Sequence, residues 1–188
     1  MMANELEARF LNVNEYGLTY DVFMEGFDDG DQEFIDLFYG ERKPDGSCTG
    51  VINNNVVAAV FDGERLVASA QCMLVKVETL GDNPKTYAVP YIMAVVTTKE
   101  YRHRGCMDMM LKLIIERIKK DGYPWCFLVP VDTAIYRHLG FNTDWRISLE
   151  ELESIYSDDE GLETASGRLL NGDRIDKVRV CGPAEGKV

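Results

Sequence analysis

Residues 95–111 read VVTTKEYRHRGCMDMML. β-Branched residues give way to a basic turn, Arg102-His103-Arg104-Gly105, and Met107, Met110, Leu111, Ile114 and Ile118 then recur on one helical stripe. The pattern predicts a strand running through a short turn into a helix over 105–120. Lys119 and Lys120 suit the negative end of that helix, and Gly122 ends it. First-turn amides of a helix have no intrahelical acceptor, and the dipole adds partial positive charge there. Gly105 permits close backbone approach, and Arg102 and Arg104 add charge-assisted donors. Together these features make an anion cradle suited to a pyrophosphate. Residues 99–120 carry seven basic and three acidic side chains, a local excess of positive charge in a chain of net charge −12.

Moving outward, the chain before this junction reads as strands. Val56–Asp62 and Arg65–Thr79 flank Asp62-Gly63, a two-residue hairpin signal, and Thr86–Thr98 makes a third strand in which Pro90 points to a bulge or a sheet edge. Earlier still, 15–27 has Leu18, Val22, Phe23 and Phe27 at helical spacing, 31–39 reads as a second short helix, and 40–50 is rich in turn residues. After the long helix, Pro124–Val131 is a short apolar run typical of the middle of a sheet. Asp132 is placed to cap a short helix over Thr133–Leu139, closed by Gly140. Ser148 begins a capping-box pattern before an acidic helix, and Asn171-Gly172 predicts a hairpin between 167–170 and 173–180.

The turn resembles the acetyl-CoA-binding signature of the GCN5-related N-acetyltransferases, the GNAT family, Arg/Gln-x-x-Gly-x-Gly/Ala, here Arg102-His103-Arg104-Gly105-Cys106-Met107. A second landmark of that family, A-x-Y-x-x-x-G-F, is matched by AIYRHLGF at 134–141, with a helix and a strand between the two. Met107 departs from the Gly or Ala of the pattern. In this respect the chain is similar to the N-terminal domain of Eis-type acetyltransferases, which carry larger residues after a doubly basic turn. The resemblance implies a single α/β domain over 1–188, with its core motifs in 86–141 and an acidic helix and late strands in 142–188. The fold it implies is the acyl-CoA N-acyltransferase fold: a mixed, mostly antiparallel central sheet, splayed near Val95, with helices on both faces. Eis-type proteins have further regions, and a catalytic group donated by those regions has no counterpart to assign here.

The resemblance also implies roles. Acetyl-CoA is the co-substrate. Its pantetheine arm lies along Val95, Val96 and Thr97. Its phosphates meet the amides of Arg104, Gly105, Cys106 and Met107, with the Arg102 and Arg104 side chains as donors and His103 in the same loop. A strand amide near Val95 stabilises the developing oxyanion. Tyr136 is the general acid, a phenol that stays protonated at neutral pH and donates to the departing thiolate. The acceptor is a primary amine, and no residue declares itself as its base. Glu25 and Asp28, at the end of the first helix, are placed on the acceptor side. Asp132 reads as a cap, and His138 as a surface or structural residue. A homodimer is common in the family.

Other readings stand beside this one. Cys106, in a first turn beside two arginines, is a candidate nucleophile with His103 as base. The domain could also bind acyl-CoA without turnover, as a sensor or interaction module. A P-loop NTPase is excluded, since the chain has no GxxxxGK[ST].

Composition sets the frame. With 46% hydrophobic and 28% charged residues over 188 positions, the chain has the make-up of one globular domain. Thirty-two acidic against 20 basic residues argue against nucleic acid or an anionic membrane as partner and favour a cationic one. Five cysteines without a pairing pattern read as reduced thiols of a cytoplasmic protein. Two histidines leave no His-rich metal site, and no metal is expected. The N-terminus lacks the apolar core of a signal peptide, and no run is long enough to span a bilayer. The acid is concentrated in two groups, Glu25 to Asp36 and Glu150 to Glu163, which would form a rim that attracts a polyamine, an aminoglycoside or a lysine-bearing peptide.

Overall fold

The computed structural model describes residues 5–27, 32–79, 86–123, 125–141, 147–148, 162–163, 166–169 and 178–183. The chain divides into two compact units, Met1–Cys72 with Ala94–Glu116 and Met73–Met93 with Arg117–Val188. Each is described in turn.

In the first unit, β1 (Leu6–Phe10) pairs antiparallel with β2 (Val56–Asp62), from Leu6↔Asp62 to Phe10↔Ala58. β2 pairs antiparallel with β3 (Arg65–Thr79) through the turn at Gly63, whose φ of 60° explains the glycine. The bounds of β2 and β3 are those expected from the sequence. β4 (Thr86–Thr97) is the next strand, and Thr98 N donates to Val67 O at 3.0 Å where the two strands end. Val57, Ala58, Ala59 and Val60 are all buried, so this strand is covered on both faces.

A 3₁₀ segment, Val13–Thr19, leads into α1 (Tyr20–Gly26), and α2 (Gln32–Tyr39) follows. Val22, Phe23, Phe38 and Tyr39 are buried, with Phe23 between the rings of Phe27, Phe38 and Tyr39 at centroid distances of 4.6–5.3 Å. Leu18, expected on the apolar stripe, is instead 52% exposed, because the segment around it is a 3₁₀ turn that breaks the 3.6-residue period. α3 (Cys106–Lys120) buries Cys106, Met110, Leu111, Ile114, Ile115 and Ile118. Met107, expected in that stripe, is only half-buried.

In the second unit, β4 pairs parallel with β5 (Trp125–Leu128) at Tyr91↔Phe127 and Ile92↔Leu128. The Tyr91 and Phe127 rings stack with centroids 4.7 Å apart. The end of α3 is closed by Gly122, φ 84°, with Gly122 N donating to Lys119 O and Tyr123 N to Ile118 O, a Schellman closure. β5 stops at Leu128 rather than at Val131, which is fully exposed. Pro90, expected at a bulge or a sheet edge, has no pairing to β5. It sits one residue before the β5 ladder begins, so its missing N–H breaks no bond to β5.

Two short strands, β6 (Ile147–Ser148) and β7 (Leu162–Glu163), pair with each other. β8 (Ser166–Leu169) pairs antiparallel with β5, and β9 (Val178–Pro183) with the Val75–Thr79 end of β3. The hairpin predicted around Asn171-Gly172 has its turn and the flanking residues, 170–177, outside the described residues. The acidic helix expected after Ser148 also lies outside them. With β4 between β3 and β5, one parallel pair and otherwise antiparallel neighbours make a mixed, mostly antiparallel sheet.

Candidate active site

The expected irregularity in β4 is present, and it falls at Ala94. This residue has φ 48°, a left-handed conformation uncommon for a residue with a Cβ. The parallel ladder ends two residues earlier, at Ile92. Val95 and Thr97 are half-buried and Val96 is buried. The conformation at Ala94 was not legible in the sequence, because alanine carries no signal for positive φ.

Beyond Thr98 the chain makes a 3₁₀ turn, Lys99–Tyr101, and then the basic turn. His103 and Gly105 both take positive φ, 62° and 81°, so two left-handed residues two apart coil the backbone ahead of α3. A methyl group built on Gly105 would meet nothing within 4 Å, so the space over the turn is open. Arg102, His103 and Arg104 are exposed. Arg102 Nε donates to Thr97 O at 3.3 Å, which ties the turn back to the end of β4. Arg104 is held over the Tyr101 ring at 4.7 Å. Tyr101 is itself fixed by donating its hydroxyl to Asp62 Oδ2 at 2.6 Å, and that bond raises its pKa. Tyr101 was not singled out from the sequence; only its place one residue before the motif could have suggested it.

These residues fit a pyrophosphate. The turn leaves first-turn amides of a fifteen-residue helix without intrahelical acceptors, below an open glycine and beside two exposed guanidinium groups. Cys106 is the first residue of α3. Its thiol is buried, directed to Tyr101 O at 3.7 Å, and burial pushes its pKa up. A thiolate nucleophile at Cys106 is thereby contradicted, since burial disfavours the charged form that would react.

Glu25 belongs to the same unit. Its Oε1 accepts from Lys99 N at 2.6 Å, capping the 3₁₀ turn, and it lines a cavity of about 340 Å³. Asp28 lies outside the described residues. Tyr136 belongs to the second unit, in the 3₁₀ segment Thr133–Leu139. Asp132 caps that segment as expected, accepting from Ala134 N at 2.8 Å, and Gly140 closes it at φ 85°. Tyr136 is half-buried, lies edge-on to Phe141 with centroids 6.2 Å apart, and has its pKa raised by burial. His138 is exposed. Among the described residues, no helix is long and apolar enough to cross a membrane, no cluster of three or more metal-binding side chains occurs, and Cys48 and Cys106 are free thiols.

The fold is shared with solved structures. A probable N-acyltransferase of unknown function from Enterococcus faecalis V583 superposes with a TM-score of 0.61 at 16% identity, over 78% of this chain and 36% of that one. Eis1 from Mycobacterium abscessus gives 0.56 at 16% identity, over 77% and 33%. This chain thus spans about a third of the length of these two proteins. A GNAT family acetyltransferase from Elizabethkingia anophelis, solved with acetyl-CoA bound, gives 0.58 at 9% identity over 88% and 98%. No curated protein matches the sequence. The family model described as an acetyltransferase (GNAT) domain matches residues 7–143, so the chain belongs to the GNAT family of acyltransferases.

Proposed function

We propose that this chain forms one GNAT domain over 1–188 and transfers acetyl from acetyl-CoA directly to a primary amine of a cationic small molecule or peptide. The observation that carries the reading is the coiled turn at 102–105, open above Gly105 and feeding the first turn of α3. Arg102, Arg104 and the amides of Arg104 to Met107 hold the phosphates, with His103 shaping the loop. Val95, Val96 and Thr97 offer the irregular strand edge that follows Ala94 for the amide-bearing arm. Acetyl-CoA, when bound, supplies the activated thioester. Tyr136 keeps its proton at neutral pH, since burial moves its pKa upward, and is the donor to the leaving thiolate. Met107 is only half-buried at the first turn, a side chain that narrows the cradle. Glu25 and Asp28 belong to the acidic side that receives the amine.

The test is a thiol-release assay with acetyl-CoA and a panel of polyamines, aminoglycosides, amino acids and peptides. Turnover with an amine supports the reading. Acetyl-CoA binding without turnover on any member would make the domain a non-catalytic acyl-CoA-binding module.

A further inference from the structure

We propose that Tyr101, anchored by Asp62 of the β2–β3 hairpin, is the positioning residue that presents Arg104 to a phosphate of the CoA thioester. The inference rests on the reading of the 102–105 turn as the phosphate cradle, and it assigns what holds that cradle in shape. Every residue it uses lies in the first unit.

An exposed arginine is a poor anion receptor by itself, because ordering its long side chain on binding costs rotamer entropy. Three guanidinium groups stand around the turn, and they are held differently. Arg65 is paired with Glu100 at 2.9 Å. Arg102 Nε donates to Thr97 O at 3.3 Å. Arg104 stands between the left-handed residues His103 and Gly105, and its guanidinium lies over the ring of Tyr101, three residues earlier, at 4.7 Å from the centroid. Among the described residues, no carboxylate pairs with Arg104. A contact with a π face occupies no hydrogen-bond acceptor, so it restrains the cation and leaves its N–H fork to a phosphate.

The ring restrains Arg104 only if it is itself immobile, and it is fixed on several sides. Tyr101 is 8% exposed. Its hydroxyl donates to Asp62 Oδ2 at 2.6 Å, a charge-assisted bond between positions 39 residues apart in the chain. A phenol that donates to a carboxylate has a more electron-rich ring, which strengthens its hold on a cation. Its backbone N–H donates to Thr98 O at 2.9 Å, and its carbonyl accepts from the buried Cys106 thiol at 3.7 Å. Asp62 ends β2 in register with Arg65, whose guanidinium lies over the same ring at 5.4 Å. The paired strands of the hairpin thus lend their rigidity to the basic turn, through one aromatic side chain.

The test is isothermal titration of the full chain with CoA, which needs no acceptor and no turnover. The wild type is expected to bind one-to-one, and Arg104→Gln to bind about tenfold or more weakly, as for loss of a charge-assisted bond. Tyr101→Leu is expected to weaken binding about two- to fivefold in the wild-type background, the range of an exposed cation–π contact, and to change it little further in the Arg104→Gln background. A tyrosine that served only to stabilise the fold would give the same factor in both backgrounds. Tyr101→Phe keeps the packed ring and loses the bond to Asp62, and Asp62→Ala loses the same bond from the other side. These two are expected to weaken binding to the same smaller extent, and no more together than singly. Thermal melts check that each variant is folded at the titration temperature. Unchanged affinity in Tyr101→Leu, or additive losses when it is combined with Arg104→Gln, would overturn the inference alone. Should Tyr101→Leu not fold, Tyr101→Phe combined with Arg104→Gln decides by the same criterion. A wild type without saturable CoA binding would overturn the reading of the turn itself, and the inference with it.

Discussion

Gly105 and Tyr136 are the two positions at which single atoms bear most on the proposed chemistry. At Gly105 a Cβ would touch nothing in the protein, so alanine there acts through the backbone and through the ligand space alone. Holding φ near 81° with a Cβ costs about 1–2 kcal/mol. Gly105→Ala is therefore expected to lower the melting temperature modestly and to raise KM for acetyl-CoA while kcat changes less. A variant with wild-type KM would show that the turn does not contact the cofactor. For Tyr136, an acid is active only while protonated, so activity falls as pH rises through its pKa. Burial raises that pKa above the ordinary phenol value, so the alkaline limb belongs above about pH 10. Tyr136→Phe is expected to reduce kcat by about 100-fold or more, in the range of general acids. Steady-state thiol release across pH measures both, and unchanged activity in the variant would refute the acid role. At this scale Gly105 and the Tyr136 motif were legible, because glycine and a spaced Tyr-Gly-Phe leave a mark in the sequence. Ala94 and His103 were not, since neither residue type announces a left-handed backbone that the surrounding strand and turn impose.

The packing of α1 on β4 is a close approach that sequence reasoning did not foresee. Gly26, the last residue of α1, lies against Val96, and an alanine methyl there would sit 2.5 Å from Val96 Cγ1 and 2.7 Å from Cγ2. Helix propensity would favour alanine by about 1 kcal/mol. Overpacking costs about 1–3 kcal/mol, and a buried, β-branched Val96 has little room to turn away. Gly26→Ala is thus expected to destabilise, read as a lower denaturation midpoint; a higher one would mean that α1 can slide off the strand freely. The elements that were legible are those with local signals. β2 and β3 share a glycine turn, and α3 has both an apolar stripe and a Schellman closure. β1 was missed because LEARF is short and mixed. Its Arg9 is accommodated by Glu15 at 2.6 Å and by the Phe61 ring at 4.5 Å, contacts that no periodicity reveals. The late strands were foreseen, but their partners in β5 and β3 were not, since a local pattern does not report which distant strand a segment returns to.

Across the whole chain the excess of acid is segmental. Glu25, Asp28, Asp29, Asp31, Glu33 and Asp36 fall together without an intervening Lys or Arg, while 99–120 is basic. A field of one sign on the amine side and the other at the phosphate turn would favour encounter with a cationic acceptor and retain a polyphosphate at the turn. The two effects separate by ionic strength. Interactions over more than about 10 Å are largely screened at 0.1 M salt, whereas contacts made in the bound state are less so. If the acidic segments steer the acceptor, kcat/KM for a polyamine falls steeply from low to high salt, while kcat at saturation changes little. An acceptor bearing a single amine shows a shallower slope, because fewer charges feel the field. Parallel slopes for both acceptors, or none, would place the acid in the role of an ordinary solvated surface and leave recognition to short-range contacts at the site.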